Sequence, residues 1–337
     1  MSVSERAIHL GILVSAAAVC GWVFGTAHGS SGPSESARAS HEIIAPQTSA
    51  LSLIPSGSAF VLTADVRQLQ HAPLGALLSK RLGRAGKTAE LVKVCGLDPL
   101  ARLDQLALAV PSAGGAAQEH PEDFGVVAQG RFTAAEIMRC ANAVITQRGG
   151  EAIETQLGKL RSVRDRKQSA EIAAKDGTLI VSGGSYFREL LDAAEGHASS
   201  KRDPRDARHS ELRRALGPGT IVATWLLGEH WFERVAGDDG NARLSPLSAL
   251  QAVGAHIDVS DTAHVQLLLD CTDSDGAGRV ASLLSELRSS LHALPLDPAL
   301  SGLAERVSVS QTGARLKLAV DPTEAELSAL LGLLLGP

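Results

Sequence analysis

The sequence predicts an α+β protein built as two tandem related units, each a mostly antiparallel sheet with helices packed on one face. Three observations carry this. Short apolar runs of strand length alternate with segments of helical periodicity from about residue 51 onward. Asp176-Gly177 and Thr312-Gly313 sit between paired strand signals, as hairpin turns require. The order of elements before the polar stretch at 195–208 is repeated after it, which favours a duplicated plan.

Residues 1–7 form a short tail with Arg6 beside Glu5, and Ile8 to Ala27 are nearly all apolar or small. About 20 such residues suffice for a membrane-spanning helix. Three readings fit this segment. It is a retained transmembrane anchor, with 1–7 as a cytoplasmic tail. It is a signal peptide, for which Gly25 and Ala27 supply the small residues that cleavage needs. Or it is a lipoprotein leader with Cys20 as the modified residue, against which Val19 stands where a small residue is expected. The anchor is the reading taken forward. Residues 28–50, rich in Ser and Gly, form a flexible spacer. The body then lies outside the cytoplasm, in the periplasm and tethered to the inner membrane; secreted or periplasmic after signal cleavage is the alternative.

The first unit covers 51–195. Ser58–Val66 reads as a buried strand, and Leu69 to Val94 carry helical spacing broken at Pro73 and near Gly83–Gly86. Strands follow at 105–110 and 124–132. Thr133 with Glu136 forms a capping box for a helix to about Gln147, which Gly149-Gly150 stops. Four short strands lie near 152–155, 159–164, 170–174 and 178–182, and Ser185 caps a helix to about Ala194. Residues 196–208 read as a charged linker. The second unit, 209–337, has a strand at 220–227, a helix near 229–235, and strands at 253–259 and 263–270. Asp273 or Ser274 caps a helix with Val280, Leu283, Leu284, Leu287 and Leu291 on one face. A hairpin spans 306–320, and Pro322 opens a final helix.

Composition limits function. Net charge is −5 with both signs interspersed, so no basic surface for nucleic acid is implied. Only ten residues are aromatic (six Phe, three Trp, one Tyr), which disfavours base stacking and aromatic sugar platforms. Of the four cysteines, Cys20 falls in the apolar segment; Cys95, Cys140 and Cys271 lack C-x-x-C spacing, so zinc-ribbon and thioredoxin chemistry have no support.

Each candidate motif lacks a residue its chemistry needs. His230 and Glu233 lie three apart, near Asp238 and Asp239, but there is no second His for a zinc-protease pair and no third ligand. Asp270–Gly276 resembles a calcium loop, yet in register its first and last ligand positions fall on Cys271 and Ser282; a helix cap accounts for it. Ser182-Gly183-Gly184-Ser185 precedes a helix without the Lys of a phosphate loop. His120, Glu122 and Asp123 share a loop of solvated character, and Lys201–Arg214 holds six bases and three acids. No catalytic, cofactor-binding or metal-ligating residue is assigned.

Ile54-Pro55, Val61-Leu62, Asp65 and Leu74-Gly75, followed by Cys95-Gly96-Leu97-Asp98-Pro99, the run from Phe124 to Phe132 and Cys140 in a helix, resemble the first part of uncharacterised membrane-anchored or secreted proteins of myxobacteria and related bacteria. The resemblance covers roughly 51–195. It implies an extracytoplasmic α+β domain of unknown function with no catalytic residue to carry over.

Two expectations complete the reading. Cys95 ends a helix before the 105–132 strand pair and Cys140 lies in the helix after it; helices over one sheet face bring them together, so they form a disulfide closing about 45 residues, with Cys271 a free buried thiol. The chain is a non-catalytic envelope protein that acts by contact, its partners the inner membrane through the N-terminal helix and another envelope protein; the alternative is an extracytoplasmic hydrolase or metal-dependent enzyme. The largest cleft is expected between the two halves.

Overall fold

A computed structural model describes residues 49–72, 92–96, 98–111, 123–184, 186–197, 203–229, 231–236, 242–259, 262–291, 298–327 and 329. The N-terminal segment, the spacer up to residue 48, His120, Glu122, Ser185, His230, Asp238 and Asp239 lie outside them; the spacer's last residue, Ala50, is corrected from flexible to buried, at the start of a 3-10 turn packed on the first half's core. The first half supplies strands β1 (Ser58–Asp65), β2 (Leu103–Pro111), β3 (Phe124–Gly130), β4 (Ala152–Leu157), β5 (Leu160–Asp165), β6 (Glu171–Lys175) and β7 (Thr178–Gly183). The second supplies β8 (Ile221–Leu226), β9 (Leu250–Asp258), β10 (His264–Cys271), β11 (Ser308–Thr312) and β12 (Arg315–Val320). The helices are α1 (Val66–His71), α2 (Pro99–Arg102), α3 (Ala134–Gln147), α4 (Tyr186–Glu195), α5 (Pro204–Leu216), α6 (Trp231–Ala236), α7 (Ser274–Leu291) and α8 (Pro298–Arg306), with 3-10 segments at Ala50–Leu53 and Ala242–Ala249.

The fold is α+β, and the predicted strands and long helices form. One expectation is corrected: the halves do not make two sheets. All twelve strands join one antiparallel sheet in the order β11-β12-β10-β9-β8-β1-β2-β3-β7-β6-β5-β4. The seam is β1 on β8, with Phe60 opposite Trp225 and Ala64 opposite Ile221. Each half thereby covers the other's open edge, where unpaired N–H and C=O groups would otherwise face solvent. Outward from the seam the strands run β1-β2-β3-β7-β6 and β8-β9-β10-β12-β11, the same order on both sides; β5 and β4 extend the first half.

Helices cover both faces, the second correction. Strands near the seam are apolar on both sides, so both need a layer. On one face a single cross-strand row runs Val163, Ile172, Val181, Val126, Leu108, Leu62, Ala223, Ala255, Leu267, Leu318, Val309. There α3 buries Met138 and Ala141 against Val163 and Ala174, and α7 buries Ala277 and Val280 against Leu269 and Leu316. On the other face α4 sets Tyr186, Phe187 and Leu190 on Ala107, Val127 and Ile180, while α5 sets Leu212 and Leu216 on Val222, Ala252 and Leu268. Gly125 permits the α4 approach: a Cβ there would meet Leu190 Cδ1 at 2.6 Å and the Tyr186 ring at 2.8 Å.

Local signals act as their chemistry dictates. The Thr133 hydroxyl accepts from Glu136 N while the Glu136 carboxylate accepts from Thr133 N, closing the capping box. Gly177 turns the β6–β7 hairpin at φ 74°. The stretch read as a charged linker is corrected in its last part: Asp203 caps α5, Pro204 sits at its first turn, and His209, Leu212 and Leu216 point inward. The final helix likewise starts one residue beyond Pro322–Thr323, with Thr323 as cap and Glu326 completing a second capping box. Cys95 and Cys140 form the expected disulfide, with Cα atoms 4.5 Å apart, and Cys271 is free and buried.

Candidate functional site

The sequence candidates resolve into structural roles where they are described. Asp273 accepts from Gly276 N at 2.6 Å and caps α7, so the calcium-like loop is a helix start. This bond is the main cause that holds the Asp273 carboxyl below its usual range. Asp270 is not part of that cap: its buried carboxylate receives Arg315 Nε and Nη2 and Arg208 Nη2, the last at 2.8 Å. Glu211 ties the two guanidiniums together, at 2.9 Å from Arg208 and 3.0 Å from Arg315. Bonds to Arg315 and then Arg208 push the Glu211 carboxyl down, and the Asp270 bond pushes the Arg315 guanidinium up. This network joins α5 to β10 and β12.

Around Ser182 the groups also serve packing. Its hydroxyl donates to the Phe124 carbonyl at 2.5 Å, and Gly184 at φ 65° leaves no room for a side chain beside Asp123. On α6, Trp231 donates from its indole to the Leu250 carbonyl at 3.0 Å and meets Phe232 edge-on, as an amphipathic turn does. Glu233 is exposed on that helix.

At the seam a buried polar chain crosses between the halves. The Tyr186 hydroxyl on α4 lies 2.6 Å from Ser58 Oγ on β1. The Ser58 carbonyl accepts from His209 Nε2 on α5 at 2.9 Å, which fixes the ring as the Nε2–H tautomer when neutral. His209 Nδ1 then accepts from the Thr224 hydroxyl on β8 at 2.7 Å. Burial pushes the His209 imidazole below its usual pKa and the Tyr186 phenol above its own. A serine, a histidine and a tyrosine thus converge, but the imidazole meets the serine carbonyl rather than its hydroxyl. The chain cannot activate Ser58 as a nucleophile by the route a Ser–His pair uses. Beside it Arg213, lowered to about 10 by burial, donates to Thr63 Oγ1 at 2.9 Å and to the Val222 carbonyl.

A cleft among the described residues lies within the second half. It occupies about 670 Å³ between the 3-10 segment Ala242–Ala249 and α7. Pro246 and Leu283 give it an apolar floor; Arg243, Arg279, Asp275 and Glu286 give it two charges of each sign. The sequence around 242–249 offered no periodic or motif signal that marks it.

The sequence matches no known family model and no curated protein. Among solved structures it is similar to crystal form III of TP0453, at 13% identity and a TM-score of 0.49, over 84% of this chain and 97% of that one. It is also similar to crystal form I of TP0453, at 12% identity and a TM-score of 0.47, over 86% of this chain and 98% of that one. Among the described residues no helix is long and apolar enough to cross a membrane, and the apolar segment 8–27 lies outside them.

Proposed function

We propose that this chain is a membrane-tethered envelope protein whose body stands outside the cytoplasm and works by contact with another envelope component. The Cys95–Cys140 disulfide carries the reading, because such bonds persist in oxidising compartments and not in the cytosol. The apolar segment Ile8–Ala27 ahead of a Ser/Gly-rich spacer supplies the tether. Contact rather than catalysis is supported by how the ionisable groups are engaged. Asp270, Glu211, Glu326 and His209 are each saturated by partners that hold elements together.

Two measurements test this. In spheroplasts, added protease should degrade the body, and thiol alkylation should reach Cys95 and Cys140 only after reduction. Full protection of the body, or free alkylation of both thiols, removes the compartment assignment. For the mode of action, a chain carrying His120→Ala, His230→Ala and Glu233→Gln together should restore any phenotype of deletion. Loss of rescue with normal folding points instead to an enzyme.

A further inference from the structure

The two edges of the sheet are not alike. At one edge β4 places Glu154 at its centre, held by Arg161 at 2.9 Å and by Asn142. A charge in the middle of an edge strand is a usual guard against strand addition. At the other edge β11 reads Ser-Val-Ser-Gln-Thr: no charge, no proline, and all five residues exposed. Val309 alone is 42% exposed, on the same apolar row as Leu318 and Leu267.

The hydrogen-bond phase of β11 follows from its neighbours. The β11–β12 turn holds two residues between the closing pair Thr312 and Arg315, so that pair exchanges both bonds, as do Ser310 with Lys317 and Ser308 with Ala319. The Cys271 N–H to Ala314 carbonyl bond fixes the same phase from the far side of β12. Val309 and Gln311 therefore aim their backbone N–H and C=O away from the sheet.

We propose that β11 is a strand-addition edge whose occupant is a second copy of this chain, related by a two-fold axis through Ser310. The strand is complementary to itself. In that register Val309 of each copy faces Gln311 of the other, and the outward donors and acceptors make four hydrogen bonds. Ser310 faces Ser310 as a pair without hydrogen bonds. An axis perpendicular to the sheet keeps each apolar row on one side, so Val309 stays beside Leu318 and gains the partner's Gln311. With no charge on β11, nothing on the strand opposes its own copy. Five residues per copy make a small interface of the weak class. The proposal does not depend on the compartment assigned above.

The test is cross-linking of the purified full chain in detergent, in a Cys20→Ala background, under mild oxidant. Ser310→Cys places two thiols on Cα atoms about 4.5 Å apart, within disulfide reach. It should give a covalent dimer, while Thr155→Cys on β4 should not. Adding Val309→Pro removes only an outward N–H and leaves the β12 pairing intact. It should lower the cross-linked fraction roughly tenfold, two bonds being lost per dimer, with an unchanged circular dichroism spectrum. A monomeric Ser310→Cys chain, equal cross-linking through β4, or indifference to Val309→Pro overturns the proposal. Cross-linking in cells to a different protein instead would assign the edge to another occupant and overturn the second copy.

Discussion

Replacing His209 with Ala should destabilise the body by about 3–5 kcal/mol, among the larger effects open to one residue. The figure follows from what the ring leaves behind. His209 is 6% exposed and sits between Ser58 on β1 and Thr224 on β8. Its removal strands the buried Ser58 carbonyl, worth about 1–3 kcal/mol when unpaired, and leaves the Thr224 hydroxyl only a long 3.4 Å bond to the Val61 carbonyl. A cavity at the α5–sheet contact adds to this. Denaturant unfolding of the full chain in detergent, followed by circular dichroism, measures it. The same residue sets a pH dependence. Burial holds the folded pKa below the unfolded value of about 6.5, so the unfolded chain takes the proton first. Stability is then complete above about pH 6.5 and falls as the pH drops below it, by up to about 1.4 kcal/mol per unit for each such histidine. Buried His256 is depressed in the same direction, first by burial and then by His264, against the opposing pull of Asp258. His209→Ala should therefore flatten the acid limb in part and leave the His256 share. A loss below about 1 kcal/mol, or an unchanged acid limb, would show that the seam does not rest on this ring.

Reduction of Cys95–Cys140, or Cys95→Ser with Cys140→Ser, should lower stability by about 4 kcal/mol, the chain-entropy value for a 45-residue separation; equal denaturation midpoints with and without reductant would contradict it. Asp270→Ala leaves Arg208 and Arg315 beside a vacated buried position and should cost about 3–5 kcal/mol, whereas Glu211→Ala, at the exposed rim of the same network, should cost about 1 kcal/mol or less; similar losses for both would refute the ranking. Cys271 is buried, and burial together with Asp270 and Asp273 pushes its thiol up. Maleimide labelling of it should be negligible in the folded chain and complete in denaturant, and rapid native labelling would be the contrary result.

The elements were legible because their signals are local. The short apolar run in Leu103–Pro111, the Thr133–Glu136 box and the Asp176-Gly177 turn each act within a few residues of themselves. Where the signal was present but weak, it was passed over. The α5 segment has only His209, Leu212 and Leu216 facing inward among charged neighbours, so its stripe is thin, although Asp203-Pro204 marks its start. Thr323 and Glu326 spell a capping box that Pro322 overshadowed. The cleft had no local signal at all: its walls come from a 3-10 segment and from α7, about thirty residues apart, and neither carries a motif.

The seam is the instructive case, since it decides between two sheets and one. Both β1 and β8 are apolar on their two faces, Phe60 and Leu62 against Val61, and Ala223 against Val222. That pattern says each strand is central, because an edge strand or a one-sided sheet would alternate. It does not say which strand lies alongside. The partner is some 160 residues away, and the register of Phe60 on Trp225 rests on contacts no window of sequence contains. What does distinguish one sheet from two is the polar content of the seam. Two separate sheets would leave Ser58, Thr224 and His209 facing water or needing partners of their own. Joined, they satisfy one another while buried. The same reasoning read in reverse applies to β11, whose exposed uncharged strand has, among the described residues, one strand neighbour. At β1 an open edge is closed by the second half of the molecule; at β11 the proposed closing strand is that of a second copy.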